Sequence, residues 1–108
     1  LEGALARATI DPDALLEHAS VVAGILKTLA NERRLLILCE LSQSEANVMT
    51  LAARVGLSQS ALSQHLARMR DEGIVTFRRD GQTLWYRIAD ARVAKLMREL
   101  ERLFCRTK

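Results

Sequence analysis

No stretch of this sequence approaches the roughly 18 uninterrupted apolar residues of a membrane-crossing helix, and no basic-then-apolar leader opens it. A soluble, cytoplasmic protein without membrane partners is expected. There is no glycine-rich phosphate-binding loop, no internal repeat and no low-complexity segment. Histidine is limited to His18 and His65, and cysteine to Cys39 and Cys105. A nucleophilic thiol needs a positioned base, and neither histidine stands in a recognisable motif with a cysteine. An enzyme is therefore not expected, no catalytic residue is assigned, and no cofactor is called for.

With 108 residues the chain can bury one hydrophobic core but not two, so a single domain over residues 1–108 is expected. The formal net charge of +3 is modest but unevenly placed. Acids outnumber bases before residue 54, and bases outnumber acids after it. Between residues 54 and 88 every base is an arginine: Arg54, Arg68, Arg70, Arg78, Arg79 and Arg87. A guanidinium fork suits bidentate phosphate contact, although a plainly solvated face has the same composition.

Asp11-Pro12-Asp13 reads as a helix start, after which Leu15, Ala19, Val22, Leu26 and Leu29 recur at three- and four-residue spacing. Asn31 can cap a second helix, where Leu35, Leu36, Ile37, Leu38, Cys39 and Leu41 surround nearly the whole circumference and mark it as central. Residues 42–46 read as a polar connection. Val48, Leu51, Ala52 and Val55 form a short third helix that stops at Gly56. Three residues, Gly56-Leu57-Ser58, separate it from a fourth helix that Ser58 caps, whose inward face is Leu62, Leu66 and Met69, with Gly73 as its stop. That spacing matches a helix-turn-helix. The outward face carries Ser60, Ser63, Gln64, Ala67 and Asp71, flanked by Gln59, Arg68 and Arg70. Short amides and hydroxyls near a helix N-terminus can meet base edges as donors or acceptors.

The pattern then changes to two β-rich runs, 74–79 and 82–88, around Asp80-Gly81, which predicts a type I′ hairpin. Leu84, Tyr86 and Ile88 share one face, Thr83, Trp85 and Arg87 the other. Tyr86 is expected to pack inward, as is a hydrogen-bonded His65, while Trp85 has no assigned role. Arg78, Arg79, Gln82 and Thr83 crowd the hairpin tip and are the expected contacts to phosphate or minor groove. A last helix carries Val93, Leu96, Met97, Leu100, Leu103 and Phe104. The fold class is thus mainly α with a β-hairpin: a winged helix-turn-helix of five helices and a two-stranded wing. Its expected partner is double-stranded operator DNA, read by Gln59, Ser60, Ser63, Gln64, Arg68 and Arg70 together with the wing. The first and last helices, about 12–29 and 90–106, either complete the monomer core or join a homodimer, which two-fold DNA half-sites favour.

Residues 26–38 (LKTLANERRLLIL), 57–66 (LSQSALSQHL), Arg79-Asp80-Gly81 and Tyr86-Arg87-Ile88 resemble the ArsR/SmtB family of transcriptional repressors, over about residues 15–105. The resemblance implies a homodimer joined by its first and last helices, recognition helices in successive major grooves, and an effector that releases the operator. Many members bind thiophilic metals through a cysteine pair in the helix before the recognition helix, or through Asp and His on the last helix. Residues 48–56 hold no cysteine and 90–108 no histidine, so those sites look vacant and no metal ligand is assigned. A metal-responsive repressor would need a non-standard site.

The pairing of Cys39 with Cys105 resembles a subgroup of the same family whose paired thiols respond to reactive sulfur species or oxidants. That likeness implies a sensing dithiol, linked by a disulfide or a longer polysulfide, with persulfide as effector; peroxide or general thiol oxidation is the alternative. On the residues alone, Cys39 is also readable as a small core hydrophobe. Helical geometry turns Cys105 about 140° from the centre of the last apolar stripe, and an unburied cysteine is an oxidation liability unless it is used. Packing across a dimer interface is the other reading. Apolar surroundings and Glu40 favour a protonated Cys39, whereas Arg102 and Arg106 beside Cys105 favour a thiolate, opposed by the helix C-terminal dipole. Cys105 is accordingly expected to react first and Cys39 to resolve the adduct. A disulfide needs Cα atoms within about 7 Å, and each inserted sulfur adds a bond of about 2.05 Å.

Overall fold

A computed structural model of the chain describes residues 11–105; the expectations for residues 1–10 and 106–108 lie outside it. Helix α1 (Pro12–Leu29) starts where Asp11 accepts the Asp13 amide at 3.0 Å with Pro12 in the first turn. Helix α2 (Glu32–Gln43) is capped by Asn31, which accepts the Arg34 amide. Helix α3 (Val48–Val55) ends at Gly56, whose φ of +70° closes the last turn in a left-handed conformation open to glycine. Helix α4 (Gln59–Asp71) begins where Ser58 Oγ accepts the Ala61 amide at 3.0 Å. Helix α5 (Ala91–Phe104) follows Asp90 and ends two residues short of its expected limit, with Cys105 as its C-cap.

The sheet differs from expectation in two ways. Strands β2 (Val75–Asp80) and β3 (Thr83–Ile88) form the wing, but a third strand, β1 (Ala46–Asn47), pairs antiparallel with β3 to give the order β1-β3-β2. Two residues are too few to show a period, so residues 42–46 read only as a connection. The turn also sits one residue later. Asp80 pairs with Thr83, leaving Gly81-Gln82 as the loop, and Gly81 alone has positive φ (+64°) there. That is the type II′ pattern, which places glycine first, rather than the type I′ turn expected of Asp80-Gly81.

One core joins every helix to the base of the wing. Ile37 and Leu38 of α2, Leu51 of α3, and Leu62, Leu66 and Met69 of α4 are fully buried with Ile74, Val75 and Val93. Helix α2 is central, yet not wrapped all round: Leu36 is exposed and Leu35 and Cys39 only half-buried. The terminal helices are more open still. Leu29 is the one buried apolar residue of α1, whereas Leu15, Leu16, Val21, Val22 and Leu26 remain exposed, and α5 buries Val93 and Met97 but exposes Leu103 and Phe104. Among the described residues no helix is long and apolar enough to cross a membrane.

Leu66 is wholly inaccessible at the centre of α4. Leu66→Ala is predicted to destabilise the fold by about 2–5 kcal/mol, the range for leucine deletions in close-packed cores, as a lowered midpoint in urea unfolding with an unchanged slope.

Candidate nucleic-acid interface and paired thiols

Helix α4 presents its first two turns to solvent. Gln59, Ser60, Ser63 and Gln64 are all exposed while Leu62 and Leu66 are buried beneath them. First-turn backbone amides and the positive end of the helix dipole make a helix N-terminus attractive to phosphate, and here Ser58 takes up only the Ala61 amide with its side chain. Arg68 is exposed further along and pairs at 3.5 Å with Glu72.

Polar contacts hold this helix from behind. The buried Thr28 hydroxyl at the end of α1 donates to Glu72, the C-cap of α4. Arg34 of α2 donates from Nε to His65 Nδ1 at 3.2 Å and from Nη1 to the Thr28 carbonyl at 3.4 Å. His65 is thus the inward-facing hydrogen-bonded histidine that was expected, and burial followed by the nearby Arg34 cation lowers its pKa. Arg33 completes the support from α2, donating to the Val55 carbonyl at 2.9 Å beside the Gly56 stop.

On the wing, Arg79, Gln82 and Thr83 are exposed towards the tip. Two arginines grouped with them by charge have partners within the protein. Arg70 lies over the Phe77 ring at 4.5 Å, and Phe77 in turn packs on Tyr86 with centroids 5.3 Å apart. Arg78 grips Glu45 with Nε and Nη2 and passes 5.8 Å from the Trp85 ring. Glu45 and Phe77 were not recognised in the sequence, because their partners are brought to them only by the folded sheet. Tyr86 packs inward as expected.

The two cysteines are both free thiols. Cys39 is half-buried on α2, Cys105 is exposed at the end of α5, and they border the same cavity of about 340 Å³. Leu35, Leu36, Met97, Leu100 and Phe104 supply its apolar walls and Glu101 its charge. Cys105 is exposed, as its angle away from the centre of the apolar stripe implies, and it still borders this cavity. The backbone stays helical through Cys105, whose amide donates to the Glu101 carbonyl at 2.9 Å. The side of α5 facing α2 includes the four-residue row Val93, Met97, Glu101, Cys105 together with Leu100 and Phe104. Burial chiefly, then the charges of Cys105, Glu40 and Glu101, raise the Cys39 pKa. Arg102 is engaged with Glu99, and Arg106 lies outside the described residues. No three His, Cys, Asp or Glu side chains among the described residues are grouped as metal ligands.

A short helix, a tight turn, an exposed polar recognition helix and a β wing define a winged helix-turn-helix transcriptional regulator that binds DNA. The chain belongs to the arsR family of bacterial regulatory proteins, whose family model matches residues 31–76. It is 48% identical over 89 residues to the transcriptional activator HlyU of Vibrio cholerae, spanning 82% of each chain. The structure of reduced HlyU from that organism matches with a TM-score of 0.81 at 42% identity, over 86% of this chain and 98% of the other. The transcriptional repressor BigR from Xylella fastidiosa matches at 0.83 with 35% identity, over 89% and 98%. A homodimeric winged helix-turn-helix DNA-binding domain from Mycobacterium bovis, Mb0332, matches at 0.72 with 36% identity, over 88% and 86%. These relatives are transcriptional regulators rather than enzymes.

His65 carries a pH prediction. Its folded pKa lies below the unfolded value of about 6.5, so the unfolded state binds its proton first as the solution is acidified. The stability contributed by neutral His65 is fully present above the unfolded pKa and is lost as pH falls through the folded one. Compared with wild type, His65→Gln is expected to flatten the stability loss below about pH 6.5, measured by urea unfolding across pH.

Proposed function

We propose that the chain is a homodimeric repressor whose hold on operator DNA is set by the oxidation or sulfuration state of Cys39 and Cys105. The observation that carries the reading is the shared apolar cavity, which brings two thiols from helices far apart in sequence to one solvent-accessible place. Homodimerisation through α1 and α5 is supported by the exposed Leu15, Leu16, Val22, Leu26, Leu103 and Phe104, and by the homodimeric Mycobacterium bovis relative. The relatives also support regulation at DNA: BigR is named a repressor and HlyU an activator, and HlyU has been solved in a reduced form.

In this reading Gln59, Ser60, Ser63 and Gln64 meet base edges, and Arg68, Arg79, Gln82 and Thr83 meet the backbone or minor groove. Arg70 and Arg78 act within the wing rather than on DNA. Cys105, the exposed thiol, takes the sulfane sulfur of a persulfide: R–S–SH and Cys105–SH give R–SH and Cys105–S–SH. A second R–S–SH accepts the two electrons of closure, so Cys105–S–SH and Cys39–SH become a trisulfide while R–SH and hydrogen sulfide leave. Cys39, held largely as the neutral thiol, resolves the adduct rather than starting the reaction.

Two measurements test this. Gln64→Ala should lower operator affinity while sparing random DNA, and Arg79→Ala should weaken both and reduce the salt slope by about one phosphate; the reverse pattern would overturn the division between base and backbone contacts. For the thiols, intact mass and operator binding are compared after reduction, peroxide and an alkyl persulfide. Persulfide should add sulfur, remove two hydrogens and release DNA in wild type; Cys39→Ser should take up sulfur on Cys105 without losing two hydrogens, Cys105→Ser should form no link, and neither variant should release DNA. Loss of two hydrogens without added sulfur points to a plain disulfide, and DNA release unaffected by either serine variant removes the thiols from the function.

A further inference from the structure

The solvent face of the wing carries an arrangement that neither DNA reading nor the thiols use. The strand register sets Asn47 opposite Trp85 and Trp85 opposite Arg78, so their side chains share the face turned away from Tyr86 and Phe77. From the outer strand β2, the Arg78 side chain crosses the ring of Trp85 on the middle strand β3, 5.8 Å from its centroid. It ends on Glu45, the residue before β1, where Nε donates to the two carboxylate oxygens at 3.0 and 3.2 Å and Nη2 donates to Oε1. One side chain straps all three strands.

We propose that Glu45 is a positioning residue for DNA binding: by holding Arg78 across Trp85 it fixes the angle at which the wing leaves the helical body. A two-stranded hairpin is marginal by itself, and β1 supports this one at only two positions, Ala46 with Tyr86 and Asn47 with Trp85. Beyond those pairs the outer strand is tied down by Arg70 on Phe77 from the inner side and by the strap from the outer side. Most exposed ion pairs contribute little. A planar fork gripping both oxygens of one carboxylate beside an aromatic ring belongs to the stronger class. The hydrogen bond from Arg78, ahead of its charge, keeps Glu45 below the usual carboxylate range, so the strap stays ionised at neutral pH.

The test turns on sign. Glu45→Gln makes the chain one charge more positive, which by electrostatics alone would tighten DNA binding. The proposal expects the opposite: operator affinity reduced several-fold, a salt slope no steeper than wild type, and faster amide exchange in β2 with α4 unchanged. Arg78→Lys, which keeps the charge but loses the fork, should show the same loss, and the double variant should be no weaker than either single one. Tighter binding by Glu45→Gln with a salt slope steeper by about 0.9 would make Arg78 a phosphate ligand for which Glu45 competes, and would overturn the proposal. Additive losses in the double variant, or unchanged affinity and exchange in Glu45→Gln, would overturn it too.

Discussion

Where α4 sits is decided by Leu62, Leu66 and Met69, three side chains wholly withdrawn from water into one cluster with Ile37, Leu38 and Leu51. Burying side chains of this size contributes about 1.5–3 kcal/mol each, enough to seat the helix but not to set its rotation, since apolar contact has little directionality. Orientation comes from the polar contacts around that seam. Thr28 holds Glu72 at one end of α4, and Arg34 holds His65 near its middle. Apolar burial and directed hydrogen bonds thus divide the work, and the polar face of α4 is left outward because the other face has no freedom.

The same division explains what could be read from the chain alone. Asp11, Asn31 and Ser58 announce their helices because a cap is a local event: a side chain bonding an amide two or three residues on. The helical periods of α2 and α4 are local as well. The internal partners of Arg70 and Arg78 went unread because charge is visible in a sequence and its partner is not; Glu45 lies 33 positions from Arg78. Strand β1 went unread because it exists only where β3 offers it hydrogen bonds. The cavity of Cys39 and Cys105 was foreshadowed by family likeness rather than by geometry, since only the fold decides which side of α2 meets α5.

Helix α2 belongs both to the core that seats α4 and to the cavity that the two thiols border. Its Ile37 and Leu38 lie in the core that seats α4, and its next residue, Cys39, opens onto the cavity shared with α5. Ser42 donates to the Cys39 carbonyl at 2.6 Å, and Glu40 pairs with Arg54 of α3 at 3.5 Å. A bond from Cys39 to Cys105 would add a covalent tie between α2 and α5. Any shift it forced on α2 would reach both helices of the helix-turn-helix through contacts already made.

The strand order β1-β3-β2 has a further result. A sheet that ends in open strands invites copies of itself to add on and grow into filaments. Here one border is only two residues long and the other runs through Arg78, Arg79 and Asp80. A border that short and one that charged are poor templates on which to extend a ladder. A wing held out towards a polyanion thus carries little strand edge through which copies could join.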